Sequence, residues 1–595
     1  MWLNKVLSKY NDDNNTTNSS KLKLPLKPNG ELYCLNELIG SQKIIVYHVI
    51  DTVKKWITMS PDYKPFHRII SGGGGSGKSF IIHQITTAIR KMFNKTETVE
   101  TAAFTGSAAY NIGGKTLHSL YAVDCIEPDK EMSQTNRENL IRRLRHTVAL
   151  LIDERSMLSA ELLGAVERNI ALTCHGGNKF KHKWGGIPVV LMIGDDYQLP
   201  PVQIMGKGKG AFHALDYRPN KNSKGLCVEV NGMNEFLRMS KKGIILDTNK
   251  RVIEGQEEFK QILSRVRLGK PTEQDKDILL SLCFHKLPSH IRQRFEKSSD
   301  TIFLFATREM CSEHNFKKLA ENNDRNNPVA FIKHKLPRHW KSNKNDQTTI
   351  PDVTCFSRGC KVSIKGKNFC PLIGLYNGAI GTVKEIVFKP GDNPNTGQLP
   401  LYIAVDFPGY VGHLPQHGSN IWDDQNPTTI PIPMVDTIDE KTKKNIKYCP
   451  LVLSFARTIH TFQGQSAGPT NNNNINPVMR IICDVGTPRF ESQNIGLFYT
   501  ALSRATTIGS ESNSRHDSAI FFTHSLDKTR LDRLITKADN TDYDMIHKRT
   551  QWVNLIEKHV ANKDDNASEQ CINRIFQWAE AQHLNIKGIE RVINA

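Results

Sequence analysis

Residues 71–85 read SGGGGSGKSFIIHQI. Within them, Gly72–Ser79 satisfy the pattern Gly-x-x-x-x-Gly-Lys-Ser/Thr in full. An apolar segment, Phe66–Ile70, precedes the pattern and a helix-compatible one, Phe80–Ile89, follows it; this is the strand–loop–helix setting that the pattern requires. Glycines let a backbone curl until several N–H groups face one point, and the start of a helix adds positive potential there. A phosphate chain is the ligand that such a loop cradles. Gly74, Gly75, Ser76 and Gly77 form the cradle, Lys78 reaches the β and γ phosphates, and the Ser79 hydroxyl is suited to Mg2+.

A loop of this kind needs an acidic partner at the end of a neighbouring strand. TVALLIDE (147–154) supplies one. Asp153 is expected to hold Mg2+ through the metal's water shell, and Glu154 to orient and deprotonate an attacking water. IPVVLMIGD (187–195) is a second continuous apolar run ending in an acid, the pattern of a buried parallel strand. Residues 156–172 between them carry a helical pattern, and TIFLFAT (301–307) and MRIICDVG (479–486) are further strand candidates. Phe259, Ile262, Leu263 and Val266 share one face of an amphipathic helix. Such alternation predicts α/β layers. By contrast, CKVSIKGKNF, AIGTVKEIVF and LPLYIAVDF, within 360–407, are β-rich and predict a small barrel-like insert. The polar residues 11–30 read as a disordered leader, Asn471–Asn474 as a surface insertion, and 334–347 as a basic loop. From about 540 the pattern is helical, with Ile572, Ile575, Phe576 and Ala579 on one face.

The length of 595 residues suggests about three to five folding units. With 38% apolar and 8% aromatic residues, a collagen-like, coiled-coil or wholly disordered chain is excluded. Apolar runs fall short of the roughly 18–20 residues that span a bilayer. The formal charge of +19 suits a polyanionic partner, either nucleic acid or an anionic surface; a solvated basic exterior accounts for it equally well. The 12 cysteines include no Cys-x-x-Cys pair, and the cluster Cys355, Cys360 and Cys370 matches no standard zinc spacing, so a reducing compartment is expected. The first residues carry no secretory signal.

A third motif is Gly194-Asp195-Asp196-Tyr197-Gln198-Leu199-Pro200-Pro201-Val202. Together with FTGSAAYNIGGKTLHSL (104–120), DERSM (153–157), TNKR (248–251), TIHTFQGQ (458–465) and YTALSRATT (499–507), it resembles the petite-integration-frequency (Pif) family of superfamily-one DNA helicases. RecD-like helicases are the next relatives, and similar regions occur in Helitron-type transposon proteins. The resemblance covers about residues 35–507.

It implies an α/β fold of two tandem RecA-like P-loop lobes, with a small β-rich, SH3-like insertion in the second lobe and a helical C-terminal tail. The corresponding boundaries are a leader at 1–30, a first lobe at 31–238, a second lobe at 239–535 with its insertion at about 350–450, and a tail at 536–595. It also implies that Gln42 reads the adenine edge, Gln198 senses the γ-phosphate, and Arg251 and Arg504 act as arginine fingers alongside the catalytic Lys78, Asp153 and Glu154. Gly464, in TFQGQ, joins the nucleotide side. Thr105, His118, His460 and Thr461 are the candidates for single-stranded DNA; satisfied buried polar roles are the alternative for each. The loops at 174–183 and 206–210 are basic and glycine-loosened, suited to backbone contact or to plain solvation.

The implied activity is ATP- and Mg2+-dependent 5′→3′ movement on single-stranded DNA with unwinding of duplex, in DNA repair, recombination and telomere maintenance. The implied partners are single-stranded and forked DNA met by a monomer, in the nucleus or the mitochondrion. The competing readings are a nucleic-acid-stimulated ATPase that does not unwind, and a helicase acting on RNA or RNA–DNA hybrid. Two features depart from the family pattern: the Asn-rich stretch after TFQGQ, and Arg155 where an apolar residue is usual.

Overall fold

The computed structural model describes residues 22–535 apart from short stretches, the longest at 174–182, 202–227, 335–351, 413–427, 439–444 and 471–477. The expected leader (but for 22–27), the Asn471–Asn474 insertion, nearly all of the two glycine-loosened loops, most of 334–347 and the tail from 536 lie outside the described residues.

Six strands form the first sheet: β1 (Phe66–Gly72), β2 (Val99–Ala103), β3 (Lys115–Thr116), β4 (Ala149–Asp153), β5 (Val189–Gly194) and β6 (Ile244–Leu246). Their order is β3-β2-β4-β5-β1-β6, and every pairing is parallel. The apolar runs in TVALLIDE and IPVVLMIGD are buried on both sides, as a doubly covered sheet demands. Ile70 and Leu151 pack into the core on one face, while Ile69, Leu150 and Ile152 pack into the other. The helix Lys78–Phe93 leaves directly from the loop after β1, and the helix at 156–172 is realised as Ala160–Ala171. Because β6 pairs with β1, the first sheet continues to Leu246. The boundary expected between 238 and 239 is therefore too early: a three-residue strand carries too little pattern to announce itself.

Strand β7 (Thr301–Phe305) opens a second sheet. The chain then makes β8 (Ala330–Lys333), β9 (Val353–Phe356), β10 (Lys361–Ile364), β11 (Ile380–Val387), β12 (Tyr402–Asp406), β13 (Thr429–Pro433), β14 (Val435–Ile438), β15 (Asn445–Tyr448) and β16 (Leu451–Leu453). It returns to the second sheet as β17 (Ala456–Thr458), β18 (Arg480–Asp484) and β19 (Ile520–Phe522). The second sheet has the order β17-β7-β18-β19 and is also parallel. Its two faces again divide the residues: Ile302, Leu304, Ile481 and Cys483 on one, Phe303, Ile482 and Phe521 on the other. Of the intervening strands, five form an antiparallel sheet, β13-β12-β11-β10-β16, with its own core around Val362, Ile403 and Ile432, while β8-β9 and β14-β15 pair separately. The β-rich stretches in the sequence are β10, β11 and β12. The amphipathic helix is Glu257–Arg267, with Phe259, Ile262, Leu263 and Val266 buried.

Candidate nucleotide site and nucleic-acid interface

The phosphate loop sits at the carboxyl end of β1, between β5 and β6, where ligands of open parallel sheets bind. Its turn needs positive φ at Gly75 (84°) and Gly77 (83°). A Cβ on Gly75 would stand 2.4 Å from Asn249 Oδ1 and from Arg251 Cβ, and one on Gly77 would stand 2.5 Å from Gln42 Nε2. Glycine is thus required both for the backbone and for the approach of its neighbours. Gln42 is buried in the helix Gly40–Ile57 and donates to the Ser76 carbonyl at 3.4 Å. Lys78 Nζ donates to the carbonyls of Gly72 and Gly73, both at 2.8 Å. Burial lowers Lys78 to about 8, against the pull of Asp195, Glu154 and Asp153. Ser79 occupies the first turn of the helix that follows.

Asp153 ends β4, and Glu154 holds a left-handed backbone with φ 54°. The Glu154 N–H donates to Asp153 Oδ1 at 2.9 Å. Burial and the Glu154 charge raise Asp153 to about 7. A hydroxyl at Ser79 and a carboxylate at Asp153 form a hard oxygen donor set that fits Mg2+, which would supply charge neutralisation to a bound triphosphate.

The second half of the chain closes this cleft. Arg504 Nη2 donates to Gln198 Oε1 at 3.0 Å, and Arg251 Nη1 donates to the Ser503 carbonyl at 2.7 Å. Burial, then the Arg504 charge, lowers Arg251 to about 9. The Lys250 N–H donates to the Gly75 carbonyl at 2.7 Å. Lys78, Asp153, Glu154, Gln198, Arg251 and Arg504 are therefore gathered in one cleft.

Residues not anticipated complete it. Gln463 Nε2 donates to Glu154 Oε2 at 3.0 Å and to Gln198 Oε1 at 3.3 Å. Tyr499 donates its hydroxyl proton to Asp195 Oδ2 at 2.9 Å and accepts the Gly74 N–H at 3.3 Å. Asp195 Oδ1 also takes Arg267 Nε at 3.0 Å. Gln463, Tyr499 and Asp195 stand inside the quoted motifs, which was the available signal; Arg267 ends an amphipathic helix and carried none. Gly464 itself packs on Ala108, a Cβ on it lying 3.3 Å from that side chain, and its carbonyl accepts from Asn111 Nδ2 at 2.7 Å.

Arg155 is fully buried and reaches Asp196 with Nε at 3.1 Å, the Ile70 carbonyl at 2.6 Å and Ser71 Oγ at 3.3 Å. The departure from the family pattern is thus an ionic anchor that ties the ends of β4, β1 and β5 together.

Two of the four candidates for nucleic acid, Thr105 and His118, lie beside the helix Gly106–Asn111; His460 and Thr461 lie in the turn after β17. Thr105 caps that helix, accepting from the Ala108 N–H at 3.2 Å. His118 meets Phe104 edge-on at 5.7 Å. Thr461 donates to the Thr458 carbonyl at 2.9 Å. His460 precedes it, and burial and then Arg308 lower its imidazole to about 4. The two threonines are already bonded within their own turns. Tyr110 of the same helix stacks on Tyr376 of the antiparallel insertion at 4.3 Å, so the first sheet, the second sheet and the insertion meet here.

Two parallel sheets, a phosphate loop on one and two arginines arriving from beyond it give the arrangement of a two-lobe P-loop protein. Residues 38–277 match the model of the PIF1-like helicases. It is similar to the ATP-dependent DNA helicase Pif1 of Bdellovibrio bacteriovorus, 29% identical over 320 residues, 53% of this chain and 63% of that protein. The ATP-dependent DNA helicase Pif1 of Campylobacter jejuni is 24% identical over 460 residues, 73% of this chain and 86% of that one. The chain thus spans just under two thirds of the Bdellovibrio relative. Among solved structures, the Pif1 helicase of Candida albicans shares the fold with a TM-score of 0.58 at 20% identity, over 86% of this chain and 99% of that one. Among the described residues, no helix is long and apolar enough to cross a membrane.

Proposed function

We propose that this protein is an ATP-dependent DNA helicase that moves 5′→3′ on single-stranded DNA and separates duplex ahead of it. The observation that carries the reading is one continuous chain of hydrogen bonds, Glu154–Gln463–Gln198–Arg504, which joins the acid of one lobe to the guanidinium of the other. The names of the relatives support ATP and DNA as the substrates.

In this reading Lys78 and the loop amides bind the β and γ phosphates, and Gln42 borders the adenine. Ser79 and Asp153 hold Mg2+. Glu154 takes the proton of the attacking water, and Arg251 and Arg504 neutralise charge on the transferring phosphoryl group. Arg504 gains its anion only when the lobes are closed, so binding and hydrolysis alternately favour closure and opening. A strand held by Thr105 and His118 on one side, and by His460 and Thr461 on the other, advances with each cycle. The first lobe then comprises about residues 31–246, and the second runs to 535 with the β insertion inside it. Monomeric action on forked DNA and a nuclear location, with the mitochondrion as second compartment, follow the family resemblance.

The test is ATP hydrolysis with and without single-stranded DNA, followed by strand displacement on duplexes carrying a 5′ or a 3′ tail. Stimulation with displacement of the 5′-tailed substrate is expected. Stimulation without displacement of either would reduce the reading to a non-unwinding ATPase.

A further inference from the structure

Arg457 lies on β17, paired in register with Leu304, and is only 9% exposed. Its Nη2 donates to the Gly378 carbonyl at 3.1 Å. Its Nη1 is buried and has no hydrogen-bond partner among the described residues. The titratable groups that face it are Tyr376 and Cys311, both uncharged at neutral pH, and Arg308 stands beside Cys311. Among the described residues no carboxylate pairs with it. A buried guanidinium left short of both charge and hydrogen bonds is costly, and a bound anion is one of the things that can complete it.

The surroundings indicate which anion. Arg457 precedes Thr458, whose turn carries His460 and Thr461, on the side of the molecule already assigned to the strand. Its cover is the 376–378 turn of the insertion: Gly378 lies on the guanidinium, Tyr376 stacks on Tyr110, and the Asn377 carbonyl would stand 2.8 Å from a Cβ on Gly106. The cover is held by one ring stack, by close backbone packing and by the Gly378 N–H, which donates to the Ile364 carbonyl at 2.8 Å, so lifting it costs that bond as well as the one from Arg457.

We propose that Arg457 is a binding site for one backbone phosphate of single-stranded DNA, reached when the 376–378 turn lifts from it and parts Tyr110 from Tyr376. The proposal rests on the reading of the protein as a single-strand motor and adds a residue and a moving cover to it. A fork of guanidinium donors suits a phosphodiester, and the two freed tyrosine faces suit the bases on either side of it.

The experiment uses the full chain and a labelled oligodeoxythymidylate, intact or with one phosphate at a time replaced by a neutral methylphosphonate. In the unaltered protein one replacement is expected to weaken binding about tenfold or more. Arg457→Gln should weaken binding to the intact strand by a similar factor and lower the log–log salt slope by about 0.7, the loss of one phosphate contact. That replacement should then cost nothing further, while other linkages keep their effect. Arg457→Lys, which keeps the charge, should retain the slope and lose part of the affinity; it serves if the glutamine variant does not fold. If Arg457→Gln keeps the slope, and every linkage costs what it costs the unaltered protein, the arginine is structural and the proposal falls while the motor reading stands. If the unaltered protein binds no single strand, both fall.

Discussion

The floor of the nucleotide cleft and its rim both bury arginines, but they partner them differently. On the floor, Arg155 is matched by Asp196 and Arg267 by Asp195. At the rim, Arg251 is bonded to the Ser503 carbonyl and Arg504 to the Gln198 side chain, both neutral acceptors. A guanidinium given its own carboxylate is complete and serves the fold. One given only neutral oxygens keeps unspent charge for an anion that arrives later. Arg457 follows the pattern of the rim, in a different part of the molecule.

The sharpest way to break this comparison is to remove one arginine of each kind. Arg504→Ala should lower single-strand-stimulated ATP hydrolysis by about 10³-fold or more, as for other arginine fingers, while ADP affinity stays near that of the unaltered protein because ADP lacks the γ-phosphate. ADP titration and turnover on one preparation decide it; loss of ADP binding would make Arg504 a structural residue. Lys78→Ala should cost about 10²–10³ in turnover, together with most ATP affinity, read in the same two assays. Near-normal turnover would remove the phosphate loop from the site.

Arg155→Met tests the floor. It leaves Asp196 buried without its cation, and breaking a buried pair from one side costs about 3–5 kcal/mol. Denaturant unfolding should report that loss as a lower midpoint. Asp196→Asn alone should also destabilise, and the double variant less than the sum of the two, because each single change strands a charge. A fully stable Arg155→Met protein would show that pairing on the floor serves something other than the fold.

How much of this could be read from sequence depended on how local the determinants were. The phosphate loop, the acids after β4 and the buried strands are written in runs of eight or nine adjacent residues, so their identity and placement were legible. Arg155 stood in plain view as an oddity. Its meaning depended on Asp196 and on carbonyls of β1 and β5, which meet it only once the sheet is assembled. Likewise β6 is only three residues long and earns its place through pairing with β1. Thr105 and Thr461 were legible as polar residues in the right motifs, but their bonds within their own turns were not.

The smallest expected effect falls on the residue that joins the two regions. Gln463 belongs to the segment that runs from Thr461, proposed above for the strand, to Gly464, which is seated on the helix Gly106–Asn111 through Asn111. One residue before Gly464, its amide donates to Glu154 at 3.0 Å and to Gln198 at 3.3 Å. It holds Glu154 and Gln198 in register with that segment. Removing one such charge-assisted bond is worth about 1.5–3 kcal/mol at most, and nearby water can replace part of it. Gln463→Ala should therefore lower turnover by about tenfold, less than any change above, and leave the Michaelis constant for ATP nearly unchanged. The diagnostic is which turnover falls. If Gln463 relays the state of the strand to Glu154, the loss should be concentrated in the single-strand-stimulated rate, bringing it towards the unstimulated one. If both rates fell by the same factor, Gln463 would be part of the floor, a positioner of Glu154 alone, and the link between the two regions would have to run through Arg504.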